Sequence, residues 1–359
     1  MRVLRLGCVA AIALAILVVV VLARSAPEIW SGPDIRPEAW RPPAAPGLVG
    51  NYERNDRLAT AELWPVGGEG PEDVAIDSQG RLYTGLVDGR LLRLPAGGGE
   101  PELLADTGGR PLGLEMHPNG GLVVCDAERG LLHLTLDGAL EVLADRFEGE
   151  PFRFTNNAAV AADGTVYFTD ASKRFGIAGY KLDLLEHSGT GRLFALRPNG
   201  RLDLLMEGLQ FANGVALDPG ERYLLVAETG AYRVRRLWLT PDRPGQDEVF
   251  VDNLPGFPDN LSTGDGVFWV AIPSPRDRVL DALLPLPWAR SLVARLPDRF
   301  QPQPKRHGFV LGFDPDGKVV HNLQDPSGRV ALVTGVRQRG NTIYLGSLSE
   351  PTLAIHELD

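Results

Sequence analysis

Two cysteines are all that the 359 residues contain, Cys8 in an apolar N-terminal run and Cys125 in a segment patterned as a strand. The folded part therefore cannot close an internal disulfide, and Cys125 reads as a small buried apolar residue. Lysine is nearly as scarce, with Lys173, Lys181, Lys305 and Lys318 the whole complement, so basic charge is carried by arginine. The formal net charge of −10 repels a phosphate backbone and excludes DNA and RNA as main partners. No GxSxG elbow, HExxH helix or Walker loop is present, and no GxGxxG stands between a strand and a helix. His117, His133, His187, His307, His321 and His356 show no metal-ligand spacing and read as surface or strand residues.

Long hydrophobic runs are absent past residue 23. The single such run, LGCVAAIALAILVVVVLA at residues 6–23, is uncharged and long enough to approach the ~30 Å hydrocarbon core as a helix. Arg2 and Arg5 precede it and Arg24 follows, which predicts a single-pass protein with a cytoplasmic N-terminus and an extracytoplasmic body. The alternative is a cleaved signal peptide ending near Ala23 and Ser25, giving a secreted or periplasmic protein. Residues 1–24 are thus an anchor or signal segment, and the Pro-rich residues 25–59 read as an extended stalk.

What is plentiful is glycine and proline, 42 and 29 residues, which indicates many tight turns between short strands. From residue 60 a unit of four short strands recurs six times. Its inner-strand lead-ins are GPEDVAID from Gly70, RPLGLEM from Arg110, FTNNAAV from Phe154, FANGVAL from Phe211, FPDNLST from Phe257 and VALVTGV from Val330. Four-stranded repeats of 40 to 50 residues predict an all-β, six-bladed propeller over residues 60–359. The sixth unit lacks an outer strand, and TAELWPV from Thr60 has no unit of its own, so the two are expected to pair and close the ring.

In such a ring the six lead-ins converge at one end of the central channel. Four carry oxygen-bearing side chains, Glu72, Asn156, Asn213 and Asp259. Two carboxylates and two amide carbonyls suit one hard divalent cation such as Ca²⁺, and the absence of Cys and His argues against zinc or copper. Taken singly, each Asn or Asp is as well explained by turn formation, but four at matched repeat positions favour a shared site. Asp126 and Asp170, in VVCD and YFTD, read as turn-holding residues.

GPED, RPLGL, YFTD, FANGVAL, LLVAETG, LPGFPDN and YLGSL, in this order, resemble the strictosidine synthase-like branch of the calcium-dependent propeller hydrolases, which also include gluconolactonases, paraoxonases and phosphotriesterases. The resemblance runs from about Leu63 to Leu358 and implies metal ligation by the same four positions. It also implies hydrolysis of a small-molecule ester or lactone, with Asp259 assigned here as the catalytic carboxylate. A non-catalytic anchored binding propeller is the alternative, and a strictosidine synthase-type condensing enzyme the third reading. Thr334 and Gly335 stand where plant strictosidine synthases place a catalytic Glu, and Leu112 where paraoxonases place a His. Asn157 stands where the family commonly has Asp, removing one charge beside the site. Asn260 with Ser262 forms a sequon, which its place beside Asp259 argues against using.

Two insertions interrupt the repeat, at residues 175–188 and 277–306. The second spaces Leu280, Leu284, Trp288, Leu292 and Leu296 four apart, with Pro285 and Pro287 interrupting any helix. It is expected to be a helix on the propeller rim, a lid over the channel or a membrane-surface contact.

Overall fold

A computed structural model describes residues 32–135 and 137–358. The apolar run at residues 6–23 lies outside them, and among the described residues no helix is long and apolar enough to cross a membrane.

Six four-stranded antiparallel sheets follow one another along the chain, each with its first strand innermost. The inner strands are Ala75–Ile76, Pro111–Met116, Thr155–Val160, Ala212–Leu217, Leu261–Gly264 and Val333–Arg339. Closure is by the predicted segment: Glu62–Pro65 pairs with Thr352–Glu357, Glu62 opposite Ile355 and Trp64 opposite Leu353. The first strand of the repeat region thus completes the last blade and covers what would be an exposed edge.

Six of the apolar clusters lie one at each blade interface. Tyr223, Leu225 and Val234 of blade four meet Phe268, Val270 and Phe309 of blade five. Leu353 and Ile355 of blade six meet Leu82, Leu92 and Leu94 of blade one across the closure seam. Each sheet is covered on both faces by its neighbours, so alternation of apolar and polar residues gives way to runs buried throughout, as in Leu122–Asp126 and Val166–Asp170. Cys125 lies in one such run as a buried free thiol.

Residues 32–60 form no helix or strand beyond two short 3₁₀ turns, as their prolines dictate, but they do not stand free as a spacer. Trp40 stacks on His187 at 4.3 Å, Arg276 donates to the Pro43 carbonyl, and Asn55 Oδ1 accepts from the Gln324 backbone N–H. Both insertions are helical, Tyr180–Glu186 in the first and Arg278–Leu283 and Pro287–Val293 in the second. Pro285 and Pro287 split the second in two, so its apolar spacing does not make one stripe. Leu280 and Leu284 are buried while Trp288 turns outward, 54% exposed.

Candidate metal centre

In each antiparallel sheet the start of the inner strand and the connection between the second and third strands lie at the same end. The six lead-ins bring Glu72, Leu112, Asn156, Asn213, Asp259 and Thr334, one per blade, to the lining of a single cavity of ≈ 140 Å³. Both insertions occupy second-to-third connections, in blades three and five, and therefore lie over this end. All four oxygen-bearing residues marked in the sequence meet here, and all are buried.

Their polar groups are incompletely satisfied by protein. The Oδ1 atoms of Asn156 and Asn213 are buried without a hydrogen-bond partner. Burial, followed by the charges of Asp259 and Asp73, pushes the Glu72 carboxyl well above its ordinary range, opposed by Arg110 and Asn260. Burial likewise raises Asp259 to about 7, opposed by hydrogen bonds from the Asn260 backbone and the Asn213 side chain. Buried polar groups are normally paired, so two orphaned carbonyl oxygens beside two repelling carboxylates form a donor set that fits a hard divalent cation.

Around the donors, hydroxyl groups fix the backbone. Thr334 Oγ1 donates to the Glu72 carbonyl at 2.7 Å across the closure seam, and Thr169 Oγ1 donates to the Asn213 carbonyl at 2.6 Å from the preceding blade. Asn260 Nδ2 donates to both carboxylate oxygens of Glu72, at 3.1 and 3.0 Å. Asn260 is fully enclosed by this contact, which leaves its sequon no room for a glycan. Thr169, Thr334 and Asn260 were not marked as site residues in the sequence. Thr84 in RLYTG and Thr169 in VYFTD recur at one repeat position, and each donates to a lead-in carbonyl, that of Asp73 or Asn213, a signal that was available. Replacing Thr169 by Val is expected to cost about 1–2 kcal/mol, read as a lowered denaturation midpoint, because the Asn213 carbonyl loses its buried donor.

The residue after each lead-in position that lines the cavity follows a pattern of its own: Asp73, Gly113, Asn157, Gly214, Asn260 and Gly335, alternating large and small around the ring. Asp73 Oδ2 accepts from Leu114 N at 3.1 Å and Asn157 Oδ1 from Val215 N at 2.9 Å, each in the next blade. Asn157 is therefore an inter-blade tie, for which an amide oxygen serves as well as a carboxylate. A Cβ on Gly113 would meet Asn157 Cα at 2.6 Å, and one on Gly335 would meet Asp73 Oδ1 at 2.7 Å.

Asp126 and Asp170 hold turns, as their positions suggest. Asp126 Oδ1 accepts from the backbone of Arg110, Glu128 and Arg129, and Asp170 accepts from Phe154 N while pairing with Arg192 at 2.6 Å. Toward the opposite end of the inner strands Arg337 is bonded to the Val74 and Leu114 carbonyls and to Glu115. No histidine lines the cavity; His187 lies under Trp40, and its imidazole is lowered to about 4, chiefly by burial.

Above the donors the walls are apolar: Leu112, Phe154, Ile177, Phe211, Phe257 and Leu280. The two insertions join into one cap over a core of Leu185, Leu280, Leu284 and Ala294, to which Ile35 of the N-terminal segment adds. Arg290 is completely buried and ties three segments together, donating to the carbonyls of Leu185 and Glu186 and to that of Glu38.

The fold and site define a closed six-bladed propeller with an oxygen-rich centre under a helical cap. Residues 50–94 match the strictosidine synthase-like N-terminal family and residues 156–242 the strictosidine synthase family. Adipocyte plasma membrane-associated protein of Danio rerio is 33% identical over 98% of this chain and 89% of its own length. Protein strictosidine synthase-like 7 of Arabidopsis thaliana is 34% identical over 78% of this chain and 76% of its own. The chain belongs to the strictosidine synthase-like family. Among solved structures, a gluconolactonase from Xanthomonas campestris shares the fold with a TM-score of 0.62 at 19% identity, covering 91% of this chain and 98% of that one. Regucalcin from Agrobacterium tumefaciens, described as calcium-binding, does so with a TM-score of 0.59 at 14% identity, covering 82% and 95%.

Proposed function

We propose that this chain is a calcium-dependent hydrolase of esters or lactones, anchored through residues 6–23 with its propeller extracytoplasmic. The observation that carries the reading is the pair of orphaned amide oxygens, on Asn156 and Asn213, beside Glu72 and Asp259 at the base of an apolar-walled cavity. Glu72, Asn156, Asn213 and Asp259 would hold one Ca²⁺ ion. Such an ion, when bound, supplies Lewis-acid polarisation of a carbonyl oxygen. The gluconolactonase and the calcium-binding regucalcin that share the fold support this choice of metal and reaction.

The rest of the chemistry falls to side chains of the chain itself. Asp259 takes a proton from the attacking water, and the apolar walls hold the rest of the substrate and keep bulk water away. Asn260 and Thr334 keep Glu72 in place. Leu112 and Thr334 at the two remaining lead-ins offer neither an imidazole nor a carboxylate, which disfavours a histidine relay and the amine–aldehyde condensation.

A panel of aryl esters, lactones and phosphotriesters, assayed with and without a calcium chelator, tests this. Turnover of esters or lactones that the chelator abolishes is the expected result. Asp259→Asn is expected to reduce kcat by about 10²–10⁴, the usual range for a general base. No turnover of any class with any divalent metal would leave a non-catalytic anchored binding protein.

A further inference from the structure

Exposed large apolar side chains are distributed unevenly over this molecule. Leu103, Val142, Leu204, Val249 and Val320 each stand alone on the outer strand of a different blade, the ordinary scatter of a soluble surface. Residues 277–306 by contrast expose four within one insertion: Val279 at 61%, Leu286 at 41%, Trp288 at 54% and Phe300 at 59%. The helices here already bury Leu280, Leu284, Ala289 and Ala294 in the cap, so their outward residues would be polar in a cap that faced only water.

Charge separates the same segment from the rest. In a chain of net charge −10, residues 277–306 hold six cations against three acids. Arg278 and Arg299 are exposed, and Arg299 lies over the Phe300 ring at 4.7 Å. An exposed tryptophan and phenylalanine beside the exposed Arg278 and Arg299 suit the headgroup region of an anionic bilayer.

The chain itself limits where this surface can be. Gly32 lies so close to the cap that a Cβ there would collide with the Arg295 side chain, and Ile35 packs on Leu280, Leu284 and Ala294. Eight residues, 24–31, separate Gly32 from the apolar run at residues 6–23. Fully extended, they span at most about 29 Å. If that run lies in a membrane, the cap is the part of the propeller held against it, and so is the cavity, whose lining includes Gln301, Pro302, Gln303 and Pro304 next to Phe300.

The geometry points to a membrane-contacting cap: Val279, Leu286, Trp288 and Phe300 insert into the surface of the bilayer that carries the anchor, and the cavity opens beside it. The inference rests on the anchored reading for its tether and is independent of whether the site is catalytic. It deepens the substrate class to esters or lactones with a lipophilic body, delivered from the lipid side.

The test uses the full chain with Cys8→Ser and Cys125→Ser, reconstituted into phosphatidylcholine–phosphatidylglycerol vesicles. An environment-sensitive fluorophore is attached to single cysteines at Trp288→Cys, Phe300→Cys or, as the control, Val142→Cys. Probes at 288 and 300 are expected to be quenched by lipid-borne nitroxide at least several-fold more than the probe at 142, and to be protected from aqueous iodide. Equal quenching by iodide at all three positions, with the protein bound to vesicles, would overturn the contact while leaving the anchor. Failure to associate with vesicles at all would overturn both. Trp288→Glu with Phe300→Glu is expected to raise KM several-fold for a membrane-partitioned ester, with KM for a short water-soluble ester unchanged. An equal rise for both esters counts against delivery from lipid, whereas no turnover of either by the unsubstituted protein removes the hydrolase reading without touching the quenching result.

Discussion

Glu72→Gln is expected to lower calcium affinity by about 100-fold or more, because losing only an outer-shell partner of a metal ligand typically costs 10–100-fold, and Glu72 contributes half the carboxylate charge of the proposed cage. At pH high enough to ionise Glu72, the same substitution should make the calcium-free protein more stable. Glu72 is buried with Asp259 and Asp73 close enough to repel it, and an uncharged amide removes that repulsion. Opposite signs for metal affinity and calcium-free stability distinguish a metal ligand from a residue that merely holds the fold. Titration calorimetry gives the first and thermal unfolding in chelator the second. Unchanged calcium affinity would end the proposed cage.

A pH dependence accompanies this. Glu72 is raised by burial, Asp73 to about 6 and Asp259 to about 7, also chiefly by burial. The unfolded chain releases these protons near pH 4, while the folded chain retains them to higher pH. Through these three groups the folded state thus binds more protons across that window, and their contribution to calcium-free stability is fully present below about pH 4 and declines as pH rises toward about 7. Saturating calcium is expected to flatten or reverse the slope, since it stabilises the ionised donors. The check is the difference in calcium-free melting temperature between the protein and its Asp73→Asn and Asp259→Asn variants; a difference that does not change with pH between these limits would contradict the burial of these carboxylates.

Gly214→Ala is expected to destabilise the propeller by about 3 kcal/mol, at the upper end of what overpacking costs. A Cβ at this position would run into backbone: Leu261 N, the Asp259 carbonyl at 2.5 Å and the Asn260 carbonyl carbon at 2.6 Å. Backbone of a neighbouring blade cannot swing aside as the end of a side chain can. The blades must separate, and Asp259 moves with them, so calcium affinity should fall in the same variant. Gly97→Ala is the control, because no atom lies within 4 Å of the added carbon. Urea denaturation of the two variants gives the comparison; equal midpoints would show that the channel wall yields more easily than close packing implies.

The repeat made much of this site legible. Glu72, Asn156, Asn213 and Asp259 were marked because they occupy one position in four units, and a propeller brings equivalent positions together. Asn260 carried no such mark, since its partner Glu72 lies 188 positions away and only the ring closes that gap. Arg290, one of the second insertion's cations, is completely buried because its partners are carbonyls of the first insertion and of the N-terminal segment. Trp288 was placed on an apolar stripe by a four-residue spacing that the break at Pro285 and Pro287 does not preserve.

By itself, the sequence determined the blades, their number and the strand that closes them, because hydrogen-bonded strands and their turns are decided by nearby residues and repeat with a fixed period. It also determined which residue each lead-in offers to the channel. Tertiary structure alone decided that Asp73 and Asn157 tie one blade to the next while glycines make room for them, that two insertions and the N-terminal segment form one cap, and that this cap turns tryptophan and phenylalanine outward. Those outcomes depend on contacts between residues far apart in the chain, whose distances and burial exist only once the ring has closed.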